Sequence, residues 1–495
     1  MSLPDGVQLA LVVLLLVCVL LGTTPVFNTA FQFLVLPLHA FKNHYRRAAP
    51  YAPNVAVIVP AWNEGLVIGA SIDRLLALEY PEDRLRIYVV DDASTDDTPE
   101  VVLRKAAEHP GRVVHLRRDV GGEGKAHTLN HGISRVLGEP WAEAILIMDA
   151  DVIFEHDSLR KMSRHLADER VGAVTAYIAE GSADRNYLTR FIGIEYIIAQ
   201  LASRRAQNVL GAIACLAGGA QLHSRANLEA IGGRIPTGTL AEDTMTTFES
   251  QLAGRRMVFE PHAVVLAEEP RTVDALWKQR LRWARGNVQL TSIYRRVWFR
   301  PSRHHRLGSL SFGLTWFSIL LLPAWMLLAA VALFSLLLLH SEVAESVFRF
   351  MWIAASCTYL FSILLSVQLD PRTAAVSWRE ALLFPGVGAM LLMLIALFPY
   401  QSDQLLTQWF GTLGPADRFL FASLLYLWGP ISLLGAWAAR HAERLPAGRF
   451  LAGLMIYLFG YGSLLCAITV DSYIKEWRRA DASWVKTEKV GRVVS

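Results

Sequence analysis

Cysteine is scarce in this chain of 495 residues. Only Cys18, Cys215, Cys357 and Cys466 occur, three of them inside apolar runs and none in a CxxC pair. That excludes a disulfide framework and a cysteine zinc site. Charge is scarce as well, at 19% of residues against about a quarter in ordinary soluble domains. The net formal charge of +4 is too small for a dedicated nucleic-acid binder, so no nucleic-acid partner is expected. No Lys or Arg precedes the first apolar run, which argues against a cleaved signal peptide. Hydrophobic residues, by contrast, reach 53%. A membrane protein carrying a substantial water-soluble part is the class that remains.

The apolar mass is unevenly distributed. Residues 7–21 and the patch 31–38 make an N-terminal region, 1–41, of transmembrane or interfacial helices. Lys42, His44, Arg46 and Arg47 follow as a basic cluster marking the cytoplasmic side. From 54 to about 300 no run is long enough to span. Short β-rich runs at 55–59, 85–90, 113–116, 144–148 and 171–177 alternate there with helical patterns at 66–78, 99–108, 125–136 and 158–166. Thr98-Pro99-Glu100 reads as a helix start with a capping hydroxyl. Such alternation predicts a Rossmann-like α/β domain with a mostly parallel sheet. Apolar spans are expected again within 308–470, at 314–339, 351–369, 381–398, 419–439 and 451–470. Loop charges alternate along them, and a basic cytoplasmic tail is expected over 471–495. Five full crossings would put that tail outside, so one segment is expected to be interfacial, with 309–322, ending at Pro323, the candidate.

Three acidic clusters close strands, where open α/β sheets hold ligands. They are Pro60-Ala61-Trp62-Asn63-Glu64, Asp91-Asp92-Ala93-Ser94 and Asp149-Ala150-Asp151, with Glu242-Asp243-Thr244 further on. One acidic pair alone is usually a cap or a solvated turn, but three strand ends closing in acids are harder to explain that way. Asp149 and Asp151 flank a single residue, and both can reach one hard cation, Mg2+ or Mn2+, shared with substrate phosphates. Gly121-Gly122-Glu123-Gly124-Lys125 opens a helix and suits a phosphate, although it lacks the Walker spacing. Gln279, Arg282 and Trp283 share a helical face, as donors beside a flat stacking ring or as a snorkelling interfacial helix. His127, His131 and His223 read as structural.

Asp92, Asp149-Ala150-Asp151, Glu242-Asp243-Thr244 and Gln279-x-x-Arg282-Trp283, in that order and between apolar segments, resemble the family-2 membrane glycosyltransferases. That family includes the processive synthases of cellulose, hyaluronan, chitin and poly-N-acetylglucosamine. The resemblance covers roughly 54–285, and Gln279-Arg280-Leu281-Arg282-Trp283-Ala284 followed by Gly286 is most similar to the poly-N-acetylglucosamine synthases. Ala241 departs from the threonine often found before the Glu-Asp pair.

The resemblance implies a GT-A-type cytoplasmic domain, 54–300, inserted between transmembrane helices of an inner (plasma) membrane protein. It implies that Asp92, with Asp91, Pro60 and Glu64, binds uridine, and that Lys125 and Asp149 contact the nucleotide. Asp151, with Asp149, would hold Mg2+ or Mn2+. Asp243, beside Glu242, would be the general base, Arg280 and Arg282 would meet the diphosphate, and Trp283, Gln279, Gly218 and Gly219 would bind the acceptor. The implied reaction is inverting, processive transfer from a UDP-sugar, best UDP-GlcNAc, to a β-linked polysaccharide exported through the bilayer. A small accessory membrane subunit is an implied partner. Two other readings remain: a membrane glycosyltransferase making a glycolipid, and a nucleotide-binding transporter or scaffold without catalysis. Because only a short polar tail follows the last apolar run, no appended regulatory domain is expected.

Overall fold

The structure, a computed structural model, describes residues 5–42 and 44–480. Lys486, Lys489 and Arg492 of the expected tail therefore lie outside the described residues. The chain forms two compact units. One comprises Gln32–Pro270 with Gly286–Gly313, and the other Met1–Phe31, Arg271–Arg285 and Leu314–Ala480.

The first unit is built on an eight-stranded sheet: β1 (Val55–Ala61), β2 (Leu85–Asp91), β3 (Val113–Arg117), β4 (Ala144–Ile147), β5 (Val152–Phe154), β6 (Val171–Glu180), β7 (Gln221–Ser224) and β8 (Arg256–Ala267). Their order is β3-β2-β1-β4-β7-β6-β8-β5. β1, β2, β3 and β4 pair in parallel, as do β6 and β8, while β7 runs antiparallel between β4 and β6 and β5 antiparallel on β8. This is the Rossmann-like GT-A arrangement. β1 is apolar throughout, and β2 is apolar between Arg86 and Asp91 apart from the Tyr88 hydroxyl, because helices cover both faces. Ile58, Val90 and Ile147 pack with Leu129 and Ile133 of the helix Lys125–Leu137 in a buried apolar cluster. The parallel strands share a direction, so β1, β2 and β4 deliver their acidic ends to one edge of the sheet.

Two expectations are corrected here. Thr98 is not a cap, since the N-cap of the helix Thr98–Glu108 is Asp97. Its hydroxyl instead accepts from the Glu64 amide (2.8 Å) and donates to Asp96, tying the loop after β1 to the loop after β2. β5, β7 and β8 were not expected. β8 carries Glu260, Pro261 and His262 in mid-strand, and a bulge absorbs them: Ala176 of β6 pairs with Glu260, but Tyr177 pairs with Val264.

The second unit is helical. Among the described residues one continuous helix, Val343–Leu369, is long and apolar enough to cross a bilayer. Five bent pairs bring the count to six if each is one span: Gly6–Gly22 with Thr24–Phe41, Leu310–Leu320 with Leu322–Leu338, Val387–Leu397 with Pro399–Phe410, Pro415–Tyr426 with Trp428–Ala442, and Gly448–Phe459 with Tyr461–Trp477. The candidate spans at 314–339, 381–398, 419–439 and 451–470 are each made of helices interrupted by a break. Two breaks have one cause. Gly386 (φ 85°) and Gly460 (φ 94°) meet backbone to backbone, a Cβ on Gly386 would sit 2.4 Å from the Gly460 nitrogen, and the Tyr461 amide donates to the Phe384 carbonyl (3.0 Å). The last described helix runs from Tyr461 to Trp477.

The start of the helix Val273–Ile293, within Arg271–Arg285, belongs to this helical unit. Glu443 accepts from the amides of Val273 and Asp274, both at 2.9 Å, filling an N-terminal cap. Arg440 bridges to Asp274 at 3.1 Å, and the fully buried Trp277 donates its indole N–H to Asp471 at 2.8 Å.

Candidate active site

The loop after β2 begins with a carboxylate turned inward. Asp91 is fully buried, accepts from the Ser94 amide (2.8 Å) and pairs with Arg117 (2.6 Å), so it fixes the 91–94 turn. Asp92 is also buried. It pairs with Arg118 and accepts from the Gly122 amide at 3.0 Å, clasping the glycine-rich turn to the end of β2. A Cβ at Gly121 would lie 2.2 Å from the Asp92 carbonyl oxygen, so only glycine permits that approach. Ser94 accepts from the Asn63 amide (3.0 Å), which joins the Pro60–Glu64 segment to the same framework. Pro60 is the next-to-last residue of β1, and Glu64, just beyond the strand, is half-buried.

The turn that links β4 to β5 carries Asp149 and Asp151, closed by a Val152 amide to Asp149 carbonyl bond of 3.4 Å. The Lys125 ammonium, at the start of its helix, pairs with Asp149 Oδ1 and lies 3.4 Å from the Gly218 carbonyl. Burial would push the Lys125 pKa down, but the carboxylates of Asp149, Glu242 and Asp243 outweigh it and hold it above its ordinary value.

Gly218 and Gly219 sit in a loop clamped from two sides. Thr175 of β6 accepts from the Ala217 amide (3.1 Å) and donates to the Ala220 carbonyl (3.0 Å). Thr247 accepts from the Leu216 amide (2.9 Å) and donates to the Asp243 carbonyl (2.7 Å). Gln251 brackets Ile213 with two more bonds. A Cβ on Gly218 would lie 3.3 Å from both Asp243 Oδ2 and Lys125 Nζ, and one on Gly219 3.5 Å from Asp149 Oδ2. Asp149, Lys125, Gly218, Gly219 and Asp243 therefore converge on one place, with Asp243 in the first turn of the helix Glu242–Leu252. Asp243 Oδ1 accepts from the Thr244 amide (2.7 Å) and Oδ2 faces Gly218.

Ala241 has a packing reason for being small: a Cβ added to Gly286 would lie 2.5 Å from the Ala241 Cβ. In the helical unit, Gln279 and Arg280 are buried, Arg280 donates to Gln279 (2.9 Å), and its guanidinium stacks 4.1 Å from the centre of the Trp283 ring. Trp283 itself is 37% exposed. Arg282 lies one turn on from Lys278 in the same helix.

Two groups were not singled out from sequence. Arg118 could have been noticed, because it follows β3 at the same sheet edge as Asp92. Arg204 could not: a π-helical stretch, Ile197–Ala202, sets the register of the helix Ser203–Leu210 that carries it. It is buried, which lowers its pKa, while Asp243 opposes that shift. Of the histidines read as structural, His223 is fully buried between Gln221 and Asn227, and burial lowers its pKa to about 4.

Comparison with known proteins agrees with this geometry. Residues 53–286 match the family model described as glycosyltransferase like family 2. The chain is 33% identical over 253 residues to the probable glycosyltransferase YdaM of Bacillus subtilis, covering 51% of this chain and 59% of that protein. It is 33% identical over 241 residues to a beta-monoglucosyldiacylglycerol synthase of Synechocystis sp., covering 48% and 49%. To a poly-beta-1,6-N-acetyl-D-glucosamine synthase of Staphylococcus epidermidis it is 27% identical over 237 residues, covering 48% and 55%. The chain thus spans about half the length of the curated relatives it matches. Its fold is similar to that of a mannosyltransferase from Pyrobaculum calidifontis solved with GDP-Man and Mn2+, at a TM-score of 0.53 and 23% identity over 78% of this chain and 99% of that one. The sheet order and the match to the mannosyltransferase give this domain a GT-A-like fold, and residues 53–286 are similar to the family-2 glycosyltransferases.

Proposed function

We propose that this protein is a membrane-associated, inverting glycosyltransferase that uses a UDP-sugar donor, with UDP-GlcNAc the first candidate and a β-linked polysaccharide the product. The observation that carries the reading is the convergence of Lys125, Asp149 and Asp243 around Gly218. A carboxylate and an ammonium facing one small gap suit a hydroxyl that must lose a proton near a departing phosphate.

In this reading Asp92, with Asp91, Pro60 and Glu64, frames the uridine pocket, and the amides of the 121–124 turn with Lys125 receive the diphosphate. Asp243, seconded by Glu242, accepts the acceptor's hydroxyl proton. The freed oxygen bonds to the donor's anomeric carbon from the face opposite UDP, and the bond from that carbon to the β-phosphate oxygen breaks. An α-linked donor therefore becomes a β-glycoside. Gly218 and Gly219 hold the acceptor sugar, and the resemblance alone assigns Arg280 and Arg282 to the diphosphate and Trp283 and Gln279 to the acceptor.

Asp149 and Asp151 place two carboxylates, hard oxygen donors, on one tight turn. That donor set fits Mg2+ or Mn2+ completed by diphosphate oxygens and water. Such an ion would neutralise charge on the leaving diphosphate.

The apolar helices and basic loops support a multi-pass inner-membrane protein with its catalytic domain in the cytoplasm. A glycolipid product is the second reading, supported by the 33% identity to a glucosyldiacylglycerol synthase. The test is incubation of the purified full chain with UDP-GlcNAc, UDP-Glc or UDP-GlcA and Mg2+ or Mn2+, measuring UDP release and product size. Long chains from UDP-GlcNAc support polymer synthesis, a single-sugar lipid supports the second reading, and no UDP release from any donor refutes both.

A further inference from the structure

Glu260 and His262 stand at the bulge of β8, where the strand leaves its register with β6. Neither has a part in the chemistry above. Both face the segment that follows the short helix Leu36–Phe41, and that segment brings His44 to them. One donor atom from each of His44, Glu260 and His262 lies within 4.8 Å of the other two. The His44 and His262 rings meet edge to face with centroids 5.3 Å apart.

The carboxylate is held for this arrangement. Its Oε2 takes a hydrogen bond from the Tyr45 amide at 3.0 Å and lies 2.7 Å from the buried His165 Nε2. Its Oε1 is turned to His262, accepting from the His262 amide (3.0 Å) and lying 2.7 Å from His262 Nδ1. A carboxylate oriented on one oxygen by His165 and the Tyr45 amide, whose other oxygen meets His262 Nδ1 where an ion could replace the shared proton, with His44 beside them, fits a supported metal ligand. Glu260 and His165 are buried, whereas His262 is exposed, so an ion has a way in from solvent. Donors around one ion at about 2.0–2.2 Å lie roughly 3–4 Å apart, so closing this set takes a shift of about 1 Å, which the exposed His262 ring can supply. His39 is otherwise engaged, 3.0 Å from Asn208. Lys161 is taken up by the His262 carbonyl and by Asp157, both at 2.7 Å, and the Arg205 charge acting on Glu260 calls for an ion whose bonds to imidazole are strong.

We propose that His44, Glu260 and His262 form a second cation site, separate from the Asp149–Asp151 turn, that binds a borderline transition metal such as Zn2+ or Cu2+ and pins the 44–47 segment to β8. Two imidazoles with one carboxylate favour such ions over Mg2+. The proposal does not depend on the glycosyl-transfer reading.

The test uses the full chain carrying Asp151→Asn, so that the other site is weakened, titrated with Zn2+ against a chromophoric chelator. One ion should bind, and His44→Gln or His262→Gln should each weaken it at least tenfold. Spectroscopy of Cu2+ on the chain without His substitutions gives an answer independent of whether those variants fold: splitting from two imidazole nitrogens is expected, where the aspartate turn would give oxygen ligation alone. Failure to bind Zn2+, unchanged affinity in both histidine variants, or a Cu2+ spectrum without nitrogen splitting would each overturn the assignment.

Discussion

Replacing Lys125 with Met removes the one ammonium that sits among three carboxylates. Its side chain is 16% exposed and its partner Asp149 37% exposed. Breaking a fully buried ion pair costs about 3–5 kcal/mol, and the exposure of Asp149 lets water screen part of that, so about 1–3 kcal/mol is expected. For a domain of this size the melting temperature should fall by roughly 3–8 °C at neutral pH. The pH dependence follows from the direction of the shift. A lysine whose folded pKa is raised stabilises fully below its unfolded value of about 10.4, and that contribution disappears as pH rises through the folded value. The gap between wild type and Lys125→Met should therefore be flat from pH 6 to about 10 and close above it. Loss of a preorganised charge near the departing diphosphate should lower kcat by about 10²–10³. Lys125→Arg should recover part of both losses. Thermal unfolding across pH and UDP release under saturating donor measure these effects. Equal melting temperatures at pH 7 together with equal rates would refute the reasoning.

Gly218→Val should reduce transfer by at least a hundredfold while leaving UDP binding within a few-fold, because its methyls would fill the gap that a bare Cβ already enters at 3.3 Å from Asp243 and Lys125. Binding calorimetry and rate assays separate the two effects. Asp92→Asn keeps the shape but loses the charge on Arg118 and the Gly122 amide, so UDP affinity should weaken roughly tenfold with kcat little changed. His223, buried and with its pKa lowered to about 4, must stay neutral on folding, so wild type should lose about 3 kcal/mol of stability as pH falls from about 6.5 to 4. His223→Gln should flatten that slope in acid-denaturation curves.

The strands nearest the site were legible because burial on both faces leaves an unmistakable apolar run, as in Val55-Ala56-Val57-Ile58-Val59, and because parallel strands must present their carboxyl ends together. Asp92, Asp149 and Asp151 stood out for that reason. β8 was illegible because Glu260-Pro261-His262 breaks the pattern and only the bulge beside β6 accommodates it. β7, four residues long, has the sheet on both sides and no room for a periodic signal. Pro385, Gly386 and Gly388 mark a kink or a re-entrant element in the sequence, but the meeting of Gly386 with Gly460 is a long-range contact that neither segment alone encodes. The inward turn of Asp91 toward Arg117 and the approach of Gly218 to Asp243 are likewise long-range contacts that no local spacing encodes.

The central claim, that Asp243 takes the acceptor's proton, is tested most directly by Asp243→Asn. Purified variant protein should bind UDP with wild-type affinity, melt within a few degrees of wild type, and release no UDP from UDP-GlcNAc in the presence of acceptor. Wild-type transfer by that variant, or loss of transfer with loss of UDP binding, would contradict it.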